Sequence, residues 1–135
     1  MLPKIDPTKS EPIYAQLMSE IKYFIATELM KPGELLPSVR DLAVKLRINP
    51  NTVARAYREL EHEGVVVTVP GKGVYVSDGP RTWDKERARA ELGAALDALL
   101  VEAYHRGVSA EHLKTLLEER TRNFHRRGKQ DGLRH

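Results

Sequence analysis

Apolar residues recur at helical spacing early in the chain. Ile13, Leu17, Ile21, Phe24, Ile25 and Leu29 share one face and predict a helix over about 12–30. Pro12 stands just inside its start, with Ser10 or Glu11 near the cap, and Lys31-Pro32-Gly33 ends it. Leu35-Leu36 is long enough only for a small pairing strand. Ser38 opens a second, short helix that ends near Arg47. With Asp41 at its third position Ser38 makes a capping box, and Leu42, Ala43 and Leu46 form the buried side. Asn49 as N-cap and Pro50 at the first helical position start a third helix. Val53, Ala56, Tyr57 and Leu60 share its buried face, Asn51, Arg55, Arg58 and His62 fall roughly opposite, and Gly64 stops it.

The period then switches. Two β-branched runs, 65–69 and 74–76, flank Pro70-Gly71-Lys72-Gly73 and predict a hairpin with a glycine-rich, basic tip. Helical spacing returns over about 83–106, with Leu92, Ala95, Leu96, Leu99, Leu100, Ala103 and Tyr104 as the stripe. Gly107 breaks this helix and Ser109 caps the next, about 110–126, which carries Leu113, Leu116, Leu117 and Phe124. The predicted fold is mostly α with a small β-wing, a winged helix-turn-helix followed by a two-helix tail. Its organisation is an N-terminal arm over 1–11, the winged domain over 12–77, a linker over 78–82, a helical dimerisation region over 83–127 and a disordered basic tail over 128–135.

Composition narrows the function classes. Hydrophobic residues at 41% and charged residues at 30% give a soluble globular balance. With no cysteine, disulfides, thiolate metal sites and thiol catalysis are excluded. Apolar runs such as Val65-Val66-Val67 are far too short to cross a bilayer, and residues 1–10 do not read as a signal peptide, so a cytoplasmic protein without a membrane partner is expected. The net charge of +3 says little, but its distribution says more. Residues 1–79 carry ten Lys/Arg and ten Asp/Glu, yet over 37–58 Arg40, Lys45, Arg47, Arg55 and Arg58 face the single acid Asp41. A basic stripe in a neutral domain suits a phosphate-facing surface.

The candidate chemistry follows from the order helix, short helix, tight turn, helix, hairpin. A third helix with a short polar N-terminus can enter the major groove of double-stranded DNA and present its first turn to base edges. Asn49, Asn51 and Thr52 both donate and accept, and Arg55 lies one turn further along the exposed side. Arg40 near the start of the second helix is placed to pin a phosphate. Gly71 and Gly73 let the hairpin tip approach a sugar-phosphate ridge, with Lys72 supplying charge. Ser38 and Asn49 serve as helix caps as well, and Arg58 flanks the surface. Asn51, Thr52 and Arg55 have no evident structural duty at this level.

These residues carry a family resemblance. Pro12 to Val76 resembles the DNA-binding domain of the GntR family. It does so through Pro12-Ile13-Tyr14-Ala15-Gln16-Leu17, Leu36-Pro37-Ser38-Val39-Arg40-Asp41-Leu42-Ala43, Asn49-Pro50-Asn51-Thr52-Val53 with Ala56-Tyr57 and Leu60-Glu61, and Gly71-Lys72-Gly73-Val74-Tyr75-Val76. The resemblance implies that Arg40, the start of the third helix and the wing tip touch DNA. Many relatives carry an arginine in the first turn of that helix where this chain has Pro50, so base reading shifts to Asn49, Asn51 and Thr52. The larger branches append a large effector-binding or aminotransferase-like domain. The short remainder here looks like the YtrA subfamily, whose tail dimerises and whose members often repress transporter operons.

Two helices cannot bury their stripes alone, so a second copy is expected to supply the missing face through Leu92, Leu96, Leu99, Leu100, Leu113, Leu116 and Leu117. A twofold homodimer would read a palindromic operator. The run from Leu96 to Leu100 forms either plain dimer core or the wall of a cleft for a small-molecule effector of unknown identity. A winged domain serving as a protein–protein adaptor is the other alternative, and the Arg40, Arg55 and Lys72 face argues against it. His105, His112 and His125 with nearby carboxylates invite a metal site, but the resembled family's metal-binding branch builds it in a large helical bundle that has no counterpart in these residues, so no metal is expected. Gly71-Lys72-Gly73 lacks P-loop spacing, and no cofactor motif or catalytic constellation is legible, so no enzyme is expected.

Overall fold

The computed structural model describes the backbone of residues 2–78 and 85–133, and side chains through residue 124. It divides near residue 80 into two units. The first contains α1 (Ile13–Ala26), α2 (Val39–Leu46), α3 (Pro50–His62), β1 (Val66–Val69) and β2 (Gly73–Val76); the second contains α4 (Lys85–His105) and α5 (Ala110–Leu133) as far as residue 127. Positions 79–82 of the expected linker lie outside the described residues.

The first unit is a winged helix-turn-helix. Both α1 and α2 pack on α3, and β1 lies along it. Leu17 and Ile21 from α1, Leu42 and Ala43 from α2, and Val53, Ala56 and Leu60 from α3 meet Val66 and Val76 of the hairpin in one core. The stripes predicted by periodicity are thus the surfaces that withdraw from water, the main force holding so small a domain together. Tyr57 is buried with them, and its phenol donates to the Pro37 carbonyl at 2.8 Å. That bond satisfies a polar group that burial would otherwise penalise and ties α3 to the segment entering α2. Burial pushes the Tyr57 phenol up from its usual range, so it stays a donor.

Local chemistry sets the element ends. The Ser38 hydroxyl accepts from the Asp41 amide at 3.1 Å, and the Asn49 side chain accepts from the Asn51 amide at 2.8 Å. Between these helices Arg47 turns left-handed at φ 57°, and the Ile48 amide returns to the Ala43 carbonyl at 3.0 Å. Helix α1 is shorter than periodicity predicts, ending at Ala26 rather than near 30. Thr27 Oγ1 bonds back to the Tyr23 carbonyl at 2.8 Å and Glu28 adopts φ 62°, so the chain leaves the helix. Met30 is still buried and Leu29 still packs on the core, which is why the stripe looked unbroken. The arm before α1 is held by Gln16. Its side chain accepts from the Asp6 amide at 2.8 Å and donates to the Asp6 and Glu11 carbonyls, both at 2.9 Å.

The hairpin pairs Val66 with Val76 and Val69 with Gly73. Pro70 and Gly71 occupy the centre of the turn closed by the Lys72 amide on the Val69 carbonyl at 3.0 Å, and Gly71 has φ 77°. Proline followed by a left-handed glycine is the type II arrangement. Gly73 is therefore the first residue of β2 rather than part of the tip. Leu35 bridges to Tyr75, and the Leu36 amide reaches the Val74 carbonyl at 2.8 Å, so the segment before α2 pairs with the outer edge of β2. This brings Leu35 against Gly73, where an added Cβ would lie 2.9 Å from Leu35 Cδ1. The half-exposed Leu35 side chain can swing aside, but φ 132° at Gly73 suits glycine alone. Gly73→Ala is expected to cost about 1–3 kcal/mol through backbone strain, read as a lower urea midpoint at unchanged slope.

In the second unit, Gly107 at φ 74° ends α4. The Val108 amide reaches the Ala103 carbonyl at 2.8 Å and the Gly107 amide reaches the Tyr104 carbonyl at 3.1 Å, a Schellman closure. Ser109 Oγ then accepts from the His112 amide at 3.1 Å, capping α5. Helix α5 continues to Leu133, past its expected end near 126 and through most of the tail expected to be disordered. Arginine, lysine and glutamine, frequent over 126–130, are good helix formers. Residues 134 and 135 lie outside the described residues. Beyond their turn, α4 and α5 do not pack along each other. Leu92, Leu96, Leu99, Leu100, Leu116 and Leu117 are consequently exposed, Leu113 is half-buried, and Ala103 is the buried apolar residue among those described in this unit.

Candidate nucleic-acid interface

Three elements of the first unit bring the polar candidates to the surface. The N-cap of α2 carries Ser38 and its first turn carries Arg40, both exposed. The start of α3 carries Asn49 and Asn51, exposed, and Thr52, half-buried. Arg55 and Arg58 follow on the same helix, exposed and turned away from Val53, Ala56 and Leu60. The third element is the hairpin tip, where Gly71 and Lys72 are exposed.

The capping bonds divide labour within these side chains. The oxygens of Ser38 and Asn49 each already accept one backbone amide. Asn49 keeps its amide NH2 group and Ser38 its hydroxyl proton as donors outward. Asn51 and Thr52 make no side-chain hydrogen bond among the described residues, which leaves their groups available to a ligand. The first turn of α3 thus presents short groups of both hydrogen-bonding kinds, and Pro50 at the first helical position removes an amide the helix could not use.

The cations are just as uncommitted. Among the described residues the ion pair of the first unit is Lys22 with Glu63 at 3.0 Å, on the far end of α3. Arg40, Lys45, Arg47, Arg58 and Lys72 pair with no carboxylate among the described residues, although Asp41 stands four positions before Lys45. A face whose charges are not neutralised internally keeps its field for a polyanion.

Arg55 is different. Its guanidinium lies over the Tyr14 ring of α1, 3.8 Å from the centroid. The expectation that Arg55 has no structural duty is therefore corrected: it joins α3 to α1 through a cation–π contact that sequence spacing does not reveal. Gly73 also has a duty besides tip access, since its φ of 132° at the start of β2 suits glycine alone. Tyr14 and Gln16 are the residues that reasoning from chemical type passed over. Both belong to the Pro12 to Leu17 segment, which carried the family resemblance, yet nothing in their chemistry alone marks them. No group of His, Cys, Asp or Glu among the described residues is arranged to hold a metal ion, and no described helix is long and apolar enough to cross a membrane.

A winged helix-turn-helix with such a face defines a class of DNA-binding regulator, and comparison with known proteins agrees. Residues 13–76 match the family of bacterial regulatory proteins described as the gntR family. The chain is 40% identical over 116 residues to the HTH-type transcriptional repressor YtrA of Bacillus subtilis, covering 86% of this chain and 89% of that one. Among solved structures, a transcriptional antiterminator from Listeria monocytogenes superposes with a TM-score of 0.81 at 29% identity over 93% of each chain. YtrA from Sulfolobus acidocaldarius, a GntR-family transcription factor, matches with a TM-score of 0.54 at 30% identity over 89% of this chain and 97% of its own. The chain belongs to the GntR family and is a YtrA-like, DNA-binding transcription regulator.

Proposed function

We propose that the protein is a repressor that binds a palindromic operator as a homodimer and blocks transcription by occupying the promoter. The observation that carries this reading is the pairing of two unspent surfaces. One is the polar start of α3 beside cations that pair with no carboxylate among the described residues; the other is the leucine face of α4 and α5, mostly exposed among the described residues. In the groove, Asn49, Asn51 and Thr52 read base edges, while Arg40 and Lys72 hold the backbone on either side, with Ser38, Arg58, Gly71 and Gly73 supporting that contact. Leu92, Leu96, Leu99, Leu100, Leu113, Leu116 and Leu117 form the dimer seam. Leu92, Leu96 and Leu99 recur at steps of four and three residues, the spacing of a helix–helix seam. The similarity to a YtrA repressor supports repression, and a transporter operon is the target class the family resemblance implies.

The interface makes a divided prediction. Arg40→Ala weakens binding to every duplex about equally and lowers the slope of log affinity against log salt by roughly one. Asn51→Ala instead costs about 1–3 kcal/mol of discrimination at one base pair and changes binding to mixed-sequence DNA little. Fluorescence anisotropy across a salt series, with single-base variants of a selected site, separates the two. Unchanged binding by both variants would contradict the interface.

A further inference from the structure

We propose that Tyr14, on α1 and outside the helix-turn-helix pair, is a positioning residue for DNA binding, holding the Arg55 guanidinium so that it meets a backbone phosphate rather than a base edge. This rests on the reading of α3 as the groove-entering helix. The first observation is the stack itself, with the guanidinium 3.8 Å from the ring centroid while Arg55 remains exposed. A carboxylate partner would occupy the arginine's N–H donors. A ring takes only the flat face of the cation and leaves the in-plane fork free for an anion. Glu59 lies four residues along α3, where an ion pair with Arg55 would be ordinary, yet no such pair forms. The aromatic contact therefore fixes the direction of the side chain without spending its charge.

The direction also decides the target. Base edges are reached from the first turn of α3, which Asn49, Asn51 and Thr52 already occupy. Arg55 sits further along and extends sideways toward α1, so its fork lies at the flank of the helix. The flank of a helix seated in a groove faces the phosphate ridge. Tyr14 itself stands on a fixed turn. Pro12 is the N-cap of α1, and the Gln16 side chain ties that turn to the arm through the Asp6 and Glu11 carbonyls. The half-buried ring is thus an anchored platform, and most of the entropy an exposed arginine loses on gripping a phosphate is lost before DNA arrives.

The test is a double-mutant cycle on the full chain, using mixed-sequence duplex DNA in a salt series, with site selection run in parallel. Arg55→Ala is expected to lower the salt slope by roughly 0.9. Tyr14→Leu is expected to weaken binding roughly 2- to 5-fold, Tyr14→Phe to retain it because the ring face survives, and Tyr14→Leu to add nothing in the Arg55→Ala background. The sequence selected from a random pool stays the same for all three. If Tyr14→Leu binds like the parent, or weakens binding equally in both backgrounds, the positioning role is overturned. A changed base preference in Arg55→Ala would overturn the phosphate assignment. If Arg55→Ala leaves affinity and slope untouched, the fault lies with placing Arg55 at the DNA at all, which distinguishes failure of the interface from failure of the stack.

Discussion

Replacing Leu96 and Leu100 together by glutamate is expected to yield a folded monomer whose affinity for a two-half-site duplex falls roughly 10²- to 10⁴-fold. The asymmetry between the protomer and the proposed dimer drives the effect. Leu96 and Leu100 are 51% and 43% exposed in the single chain, so carboxylates there disturb little within the protomer. In a dimer seam the same carboxylates must shed their water without a partner, which costs far more than the leucine contacts returned. Once the subunits separate, each winged domain binds its half-site alone and the effective concentration supplied by the second contact is gone. Sedimentation equilibrium and binding to one- and two-half-site duplexes measure the two halves of the prediction. Near-parental affinity for a single half-site shows that the winged domain survived.

The second large effect falls on folding. Leu60→Ala is expected to destabilise the winged domain by about 2–5 kcal/mol, a large share of the roughly 5–15 kcal/mol that domains possess. Leu60 is fully buried near the last turn of α3, in the core shared by α1 and the hairpin. Its carbonyl also accepts the Val65 amide at 2.9 Å, where the chain turns from α3 into β1. Truncation leaves a cavity that these elements cannot close without moving the wing. Urea unfolding at fixed protein concentration reads the loss directly. A shift below about 1 kcal/mol would mean that the hairpin repacks and that the core is less tightly coupled than described.

Much of this architecture was legible because it is local. The caps at Ser38, Asn49 and Ser109 and the stop at Gly107 are dictated within a few residues, and the structure forms each with the expected bond. Periodicity likewise found the buried faces of α1, α2 and α3, since those faces exist only to leave water. What escaped was set by distant partners or by backbone choices with several local answers. Lys31-Pro32-Gly33 is the stronger stop signal, yet α1 ends sooner because Thr27 and Glu28 take an earlier exit. Arg55 reads as a free surface cation until α1 is packed beside α3 and Tyr14 comes beneath it. Gly73 reads as part of a turn, whereas it opens β2 at φ 132°, a backbone conformation that requires glycine. The leucine stripes of α4 and α5 were plain in the sequence. The expectation that two helices alone cannot bury those stripes agrees with their exposure within one chain.

The candidate site shows the same division. Residue type and position nominate Arg40, Asn49, Asn51, Thr52 and Lys72, because short polar groups at a helix start and cations without partners suit a duplex. The fold supplies the remaining information, namely which of these side chains already have work inside the protein. Ser38 and Asn49 give one acceptor each to capping and Arg55 gives its face to Tyr14, while Asn51 and Thr52 keep their side-chain groups for a ligand. Base discrimination should accordingly depend more on Asn51 and Thr52 than on Ser38.

Selection of binding sites from a random duplex pool with the purified full chain tests the central claim most directly. A sequence-specific homodimer enriches an inverted repeat whose two arms are alike and whose spacing is fixed by the dimer. Retention without any enriched sequence, vanishing at moderate salt, would contradict it and leave only a basic surface that holds polyanions without reading them.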